Sequence, residues 1–252
     1  MHAPVALRVE DLSIHFGGHI AVNNVTCHFT PGELSVIVGP NGAGKTTLFN
    51  LISGQLSATS GKVLLRDTEL TRMSPSARAK RGVGRAFQLT NLFPRLSVLE
   101  NVRLAVQAQA GEGMRLWVRA KSLKHLETEA QSYLEQTRLK DVSHLPVSAL
   151  SHGDQRKLEV ALLLAMKPDV FMFDEPTAGM SVDEAPAILE LIEKIKEDKS
   201  KIVLLVEHKM DVVRALADRI IVLHNGELVA DGTPKDVMDL PIVREIYLGA
   251  GS

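Results

Sequence analysis

A chain of 252 residues with 45% hydrophobic and 23% charged residues has an ordinary globular composition and enough length for a substantial buried core. Its 29 basic and 30 acidic residues leave a net charge of −1, and aromatic residues make up only 4%. That excludes a global electrostatic field for nucleic acid and a set of base-stacking platforms. No run approaches the ~18 apolar residues of a membrane span. Met1-His2-Ala3-Pro4 lacks the basic segment and apolar core of a secretory signal. The single cysteine, Cys27, cannot form an internal disulfide and reads as a small buried apolar residue, so the expected setting is the reducing cytoplasm.

In chain order, residues 5–34 read as antiparallel strands. Leu7 and Val9, then Leu12, Ile14 and Phe16, alternate in short apolar sets, with Gly17-Gly18 as a turn and Thr30-Pro31-Gly32 as a second. Ser35–Val38 is a short buried strand, Gly39–Gly44 a glycine-rich turn, and Lys45 begins a helix ending near Ser53-Gly54. Gly61–Leu65 is another strand. Residues 88–150 are helical in pattern. Ser97-x-x-Glu100 is a capping box opening a helix to about Gln109, Gly111-Glu112-Gly113 breaks it, and Leu123, Leu126, Ala130 and Tyr133-Leu134 share one helical face. The expected organisation is a core of residues 1–87 and 151–252 with residues 88–150 inserted as a helical subdomain.

Ser151-x-x-Asp154 opens a further helix that stops before Pro168. Val170–Phe173 is an apolar strand ending in Asp174-Glu175. Ala185, Ile188, Leu189, Ile192 and Ile195 share a helical face, and Ile202–Val206 is an apolar strand ending in Glu207-His208. Strands alternating with helices predict an α/β fold with a mainly parallel sheet. Ile220–Leu223, Asn225-Gly226 and Leu228–Ala230 read as a hairpin, and Thr233-Pro234 as the start of a short helix.

The chemistry centres on Gly39-Pro40-Asn41-Gly42-Ala43-Gly44-Lys45-Thr46-Thr47. Gly39, Gly44, Lys45 and Thr46 satisfy G-x-x-x-x-G-K-[ST] in the strand-to-helix setting that a phosphate-binding loop requires. Glycines let successive N–H groups approach the β- and γ-phosphates. The helix start adds its dipole, Lys45 a point charge, and Thr46 a hydroxyl for Mg²⁺. Ligands of open α/β sheets lie beyond the carboxyl ends of the strands, so Asp174-Glu175 and Glu207-His208 should point toward this loop. Asp174 is then placed to hold Mg²⁺, Glu175 to orient or deprotonate an attacking water, and His208 to bridge the γ-phosphate and that water.

Taken in order, these segments resemble the nucleotide-binding subunits of ATP-binding cassette (ABC) transporters over nearly the whole chain. The resemblance implies a phosphate-loop ATPase fold with an N-terminal antiparallel β subdomain and an inserted α-helical subdomain. Gly39–Thr47 corresponds to Walker A, and Val170–Glu175 to Walker B followed by the catalytic glutamate. Gln88 corresponds to the Q-loop glutamine that senses Mg²⁺ and water, His208 to the switch histidine, and Phe16 to the ring stacked on adenine. Leu150-Ser151-His152-Gly153-Asp154-Gln155 resembles the L-S-G-G-Q signature. Ser151 and Gly153 are implied to face the γ-phosphate held by a second subunit, giving a head-to-tail dimer around ATP and Mg²⁺. His152 and Asp154 depart from the usual signature, and Ser181 replaces the usual Asp or Asn of the D-loop.

Only 62 residues separate Gln88 from Ser151, too few for the long coiled coil of DNA-repair members, and one Walker A argues against two-cassette translation factors. The chain therefore resembles a transporter motor at the cytoplasmic face of the cell membrane. Its implied partners are transmembrane permease subunits, a second ABC ATPase subunit (identical or paralogous) and, indirectly, a solute-binding protein; no nucleic acid is implied. Phe16-Gly17-Gly18, Arg85–Gln88, Leu92-Phe93-Pro94, Ala178-Gly179-Met180, Glu207–Met210 and Val243–Gly249 most resemble ATP-binding subunits of branched-chain and hydrophobic amino acid importers. Motors of urea or amide uptake and of lipopolysaccharide export share much of the pattern. The apolar loop at Leu92, Phe93 and Leu96 reads as a docking surface for a membrane subunit.

Overall fold

The computed structural model describes residues 6–86, 92–111 and 120–249. Two compact units divide the chain. The first comprises Met1–Arg85, Asp169–Glu175 and Glu193–Ser252, and the second Ala86–Pro168 and Pro176–Ile192.

In the first unit, β1 (Leu7–Phe16) and β2 (His19–Phe29) form the expected antiparallel hairpin, pairing Leu7 with Phe29 and Phe16 with His19 across the Gly17-Gly18 turn. β4 (Ser60–Leu65) lies antiparallel against the other edge of β1, and the short β5 (Thr68–Glu69) completes a sheet of order β2-β1-β4-β5. The second sheet contains β3 (Leu34–Val38), β6 (Val83–Ala86), β7 (Val170–Asp174), β8 (Ile202–Val206), β9 (Arg219–His224) and β10 (Glu227–Gly232), in the order β10-β9-β3-β8-β7-β6. β3 pairs in parallel with β8 and β9, and β7 in parallel with β8. β10 returns antiparallel to β9. All residues of β3 and β8 are buried, as expected of Val-, Ile- and Leu-rich strands with both faces covered; Ser35 is the one polar residue among them. Asn225 and Gly226, with φ of 50° and 80°, give the β9–β10 turn the left-handed pair its tight hairpin demands.

Helix α1 (Lys45–Ser53) contributes Leu48, Phe49, Leu51 and Ile52 to a core shared with both sheets. Cys27 is buried in the same core, and burial pushes its thiol up to about 12, which leaves it an inert packing group. The α1 C-terminus is held by an unexpected residue. Arg78, on α2 (Pro75–Lys80), is 2% exposed and donates to the carbonyls of Leu51 (2.5 Å), Ile52 (2.7 Å), Thr71 (2.8 Å) and Met73 (3.1 Å). A Cβ on Gly54 would come within 2.7 Å of Arg78 Nε, so glycine closes α1 both for its φ of 84° and for this packing. Arg78→Met leaves those carbonyls unsatisfied and should cost about 3 kcal/mol or more. By calorimetry that is a fall in Tm of roughly 6–12 °C for a domain of this size.

The remaining elements of this unit are α7 (Met210–Leu216), α8 (Pro234–Met238) and α9 (Pro241–Gly249). Thr233 Oγ1 accepts the Asp236 N–H at the start of α8, as Thr233-Pro234 foretells. β5, α2, β6 and α7 carry no periodicity long enough to announce them. β6 is four residues with a glycine and the charged Arg85, and α2 is six residues without an apolar stripe.

The second unit packs α3 (Val98–Gln109), α4 (Ala120–Gln136) and α5 (His152–Ala165) around Val98, Val102, Leu126, Ala130, Leu134 and Leu158. Ser97 Oγ caps α3 by accepting the Glu100 N–H at 3.1 Å, while the Glu100 carboxylate pairs with Arg103 at 2.8 Å. α6 (Ala185–Glu197) follows the turn after β7. Gly111 ends α3 with a φ of 72°, and Glu112, Gly113 and the Leu123 side chain lie outside the described residues. Among the described residues no helix is long and apolar enough to cross a membrane.

Candidate nucleotide-binding site

β3 delivers the chain to Gly39, and the loop to Gly44 turns it directly into α1. Gly44 is the N-cap residue at φ 98°; a Cβ there would meet the Ala21 carbonyl at 2.6 Å, and one on Gly39 would run into the Leu223 carbonyl. Only glycine satisfies both backbone and space. No side chain caps α1, and Leu48 N–H is the first to bond back into it, to Gly44 O at 2.8 Å. The first-turn amides of Lys45, Thr46 and Thr47 are thus donors at the positive end of a helix dipole, the arrangement an anion requires.

These amides open into a cleft of about 390 Å³ lined by Phe16, His19, Ala21, Asn41, Gly42, Ala43, Gly44, Lys45, Thr46, Thr47 and Glu175. The structure therefore brings the loop, Phe16 and Glu175 together. Phe16, 49% exposed at the end of β1, supplies an aromatic face at the rim. His19 and Ala21 are lining residues that sequence reasoning missed. Their one available signal was position, since a two-residue turn at Gly17-Gly18 carries β2 back beside Phe16.

Lys45 folds over the loop, its Nζ donating to Gly39 O (2.8 Å) and Pro40 O (2.9 Å). Burial pulls its pKa down, and the Glu175 and Asp174 carboxylates oppose that pull. Glu175 lies one residue past β7 with φ 47°, left-handed backbone that a side chain adopts at a cost, anchored by its N–H to Val206 O at 3.0 Å. That turn breaks the alternation of the strand and puts Glu175 on the cleft wall. His208 Nδ1 is 3.7 Å from Glu175 Oε1, and the buried Glu207 accepts the His208 N–H at 2.9 Å, so this histidine has a carboxylate on each side. Asp174 is not in the cleft lining; its Oδ2 receives Arg85 Nη2 at 2.7 Å. Burial raises the Asp174 carboxyl above its usual range and Arg85 offsets part of that. Gln88 lies outside the described residues.

In the second unit, Ser151 caps α5 by accepting the Asp154 N–H at 3.0 Å, and Asp154 pairs with Lys157 at 2.9 Å. The charge of Asp154 is therefore locally balanced. Gly153 is buried, and a Cβ on it would meet Glu184 Oε1 at 2.5 Å. Glu184 Oε2 in turn accepts from the N–H (3.2 Å) and Oγ (3.1 Å) of Ser181, so Ser181 and Glu184 form one half of a capping box. Glu184 had no signal of its own in the sequence.

The donors suit Mg²⁺ bound through a substrate. Among the described residues no cluster of three or more His, Cys, Asp or Glu could cage a metal, whereas the Thr46 hydroxyl in the cleft and the Asp174 carboxylate, outside its lining yet near enough to act on Lys45, match the few protein donors of an ion that keeps phosphate and water ligands.

Residues 22–178 match the family profile described as ABC transporter. The chain belongs to the ABC transporter family. The high-affinity branched-chain amino acid transport ATP-binding protein LivG of Escherichia coli K12 is 37% identical over 248 residues, 96% of this chain and 97% of that one. The ADP conformation of the ATP-binding cassette MJ1267 superposes with a TM-score of 0.82 at 28% identity, covering 98% of this chain and all of that one. The dimeric ABC transporter cassette MJ0796 gives 0.76 at 26% identity over 90% and 98%. The protein is thus an ABC ATPase, and the fold expected from sequence is the fold observed.

Proposed function

We propose that this protein is the ATP-hydrolysing subunit of a membrane importer for branched-chain or other hydrophobic amino acids. The observation that carries the reading is the near full-length 37% identity to E. coli LivG. In this reading Lys45 and the amides of Gly42–Thr47 hold the β- and γ-phosphates of ATP, and Phe16 stacks on the base. Thr46, Asp174 and Gln88 would hold Mg²⁺, whose charge neutralises the phosphates. Glu175 takes the proton of the attacking water, with His208 fixing that water against the γ-phosphate. Ser151 and the first turn of α5, with Gly153, contact the γ-phosphate held by a second subunit, so ATP joins two copies or one copy and a paralogue.

Coupling to a permease at the cytoplasmic face of the cell membrane falls to the loop before α3. Phe93 is 53% and Leu96 38% exposed. The backbone beside that ring is pinned by the buried Asn101, which accepts from Phe93 N–H at 2.8 Å and donates to Phe93 O at 3.2 Å. A rigidly presented apolar ring in water suits docking. Purification from membranes should recover the protein with permease subunits whose removal stops leucine, isoleucine and valine uptake. Phe93→Ala should lose that co-purification and keep nucleotide binding. Undiminished uptake of all three after deletion would overturn the branched-chain assignment.

A further inference from the structure

Arg85 sits at the end of β6 with 7% of its side chain exposed, and burial pulls its pKa down. Its Nε is buried with no partner among the described residues. A buried, incompletely satisfied guanidinium is poor value as a stabilising device, since an apolar side chain of similar volume often serves as well. Its geometry is specific. Nη1 donates to Asn50 Oδ1 (2.7 Å) and Ser53 Oγ (2.9 Å), Nη2 donates to Asp174 Oδ2 (2.7 Å), and the guanidinium lies 5.5 Å from the Phe49 ring centroid. One side of the fork is thus fixed to α1 and the other to Asp174. Thr46, Asn50 and Ser53 follow one another at i, i+4 and i+7, a single face of α1. The helix face that anchors Arg85 is the face that carries Thr46.

We propose that Arg85 is a positioning residue for Mg²⁺: it holds Asp174 at a set distance from the helix bearing Thr46, and so governs affinity for the ion rather than for the nucleotide. This rests on the reading of Thr46 and Asp174 as the Mg²⁺-directed groups. The rigid fork matters, because a lysine could hold the charge but its single ammonium could not span from α1 to Asp174 as the two guanidinium nitrogens do.

The test uses full-length protein in a Glu175→Gln background, so that hydrolysis is slow beside the titration, and follows binding of a fluorescent ATP analogue in EDTA and then across a Mg²⁺ titration. Arg85→Met should bind the analogue as the parent does in EDTA and need about 10-fold more Mg²⁺ for half-maximal response, the usual loss on removing a residue that orients a metal ligand. Arg85→Lys should move in the same direction by less. Asp174→Asn should weaken the Mg²⁺ response, and adding Arg85→Met to it should change nothing further. An unshifted Mg²⁺ midpoint in Arg85→Met, equal losses with and without Mg²⁺, or full additivity with Asp174→Asn would overturn the proposal. If Arg85→Met does not fold, an unshifted midpoint in Arg85→Lys overturns it. A normal Mg²⁺ response in Asp174→Asn alone instead removes Asp174 from the ion and defeats the underlying reading.

Discussion

Glu175→Gln should bind ATP as the parent protein does while turning it over about 10²-fold more slowly, some 2.7 kcal/mol of barrier. Glutamine keeps the volume and much of the hydrogen bonding of glutamate but cannot accept a proton. The side chain lines the cleft beside Lys45 and Thr46 from a strained left-handed residue, 3.7 Å from His208. A phosphate-release assay reads the rate, and light scattering with Mg-ATP reads the second consequence, a persistent dimer. Turnover at the parental rate would place the proton acceptor elsewhere.

Lys45→Ala should weaken nucleotide binding by about 10- to 100-fold, the value of one or two charge-assisted hydrogen bonds. The lysine ammonium donates to Gly39 O and Pro40 O across its own loop, so it also braces the cradle. Arginine could not substitute, because a planar fork does not fit where a compact point charge meets two carbonyls. Fluorescence titration at fixed Mg²⁺ measures the loss. Affinity unchanged in Lys45→Ala would count against the phosphate loop as the nucleotide site.

What the sequence made legible rests on local signals. The glycine pattern of 39–44, the buried runs of β3, β7 and β8, the Asn225-Gly226 hairpin, and the serine caps of α3 and α5 each depend on residues a few positions apart. What it hid depends on chain distance. Arg85 meets Asp174 across 89 positions, Arg78 caps α1 from a helix too short to show a pattern, and Gly153 owes its missing side chain to Glu184 on another segment. In hindsight a lone arginine between Gly84 and Ala86, in a stretch of otherwise small and apolar residues, was the one available hint of a buried partner. The left-handed Glu175 was equally invisible, since nothing in a Phe-Asp-Glu-Pro run predicts positive φ.

The clamp of Arg78 on the far end of α1 has a consequence for energetics. Arg78 ties that end down through the Leu51 and Ile52 carbonyls, and the near end begins on glycine without any capping side chain, so no side chain of the helix start competes with an anion for the first-turn amides. An anion arriving there displaces no capping side chain, so none of its contact energy is lost in breaking an existing cap.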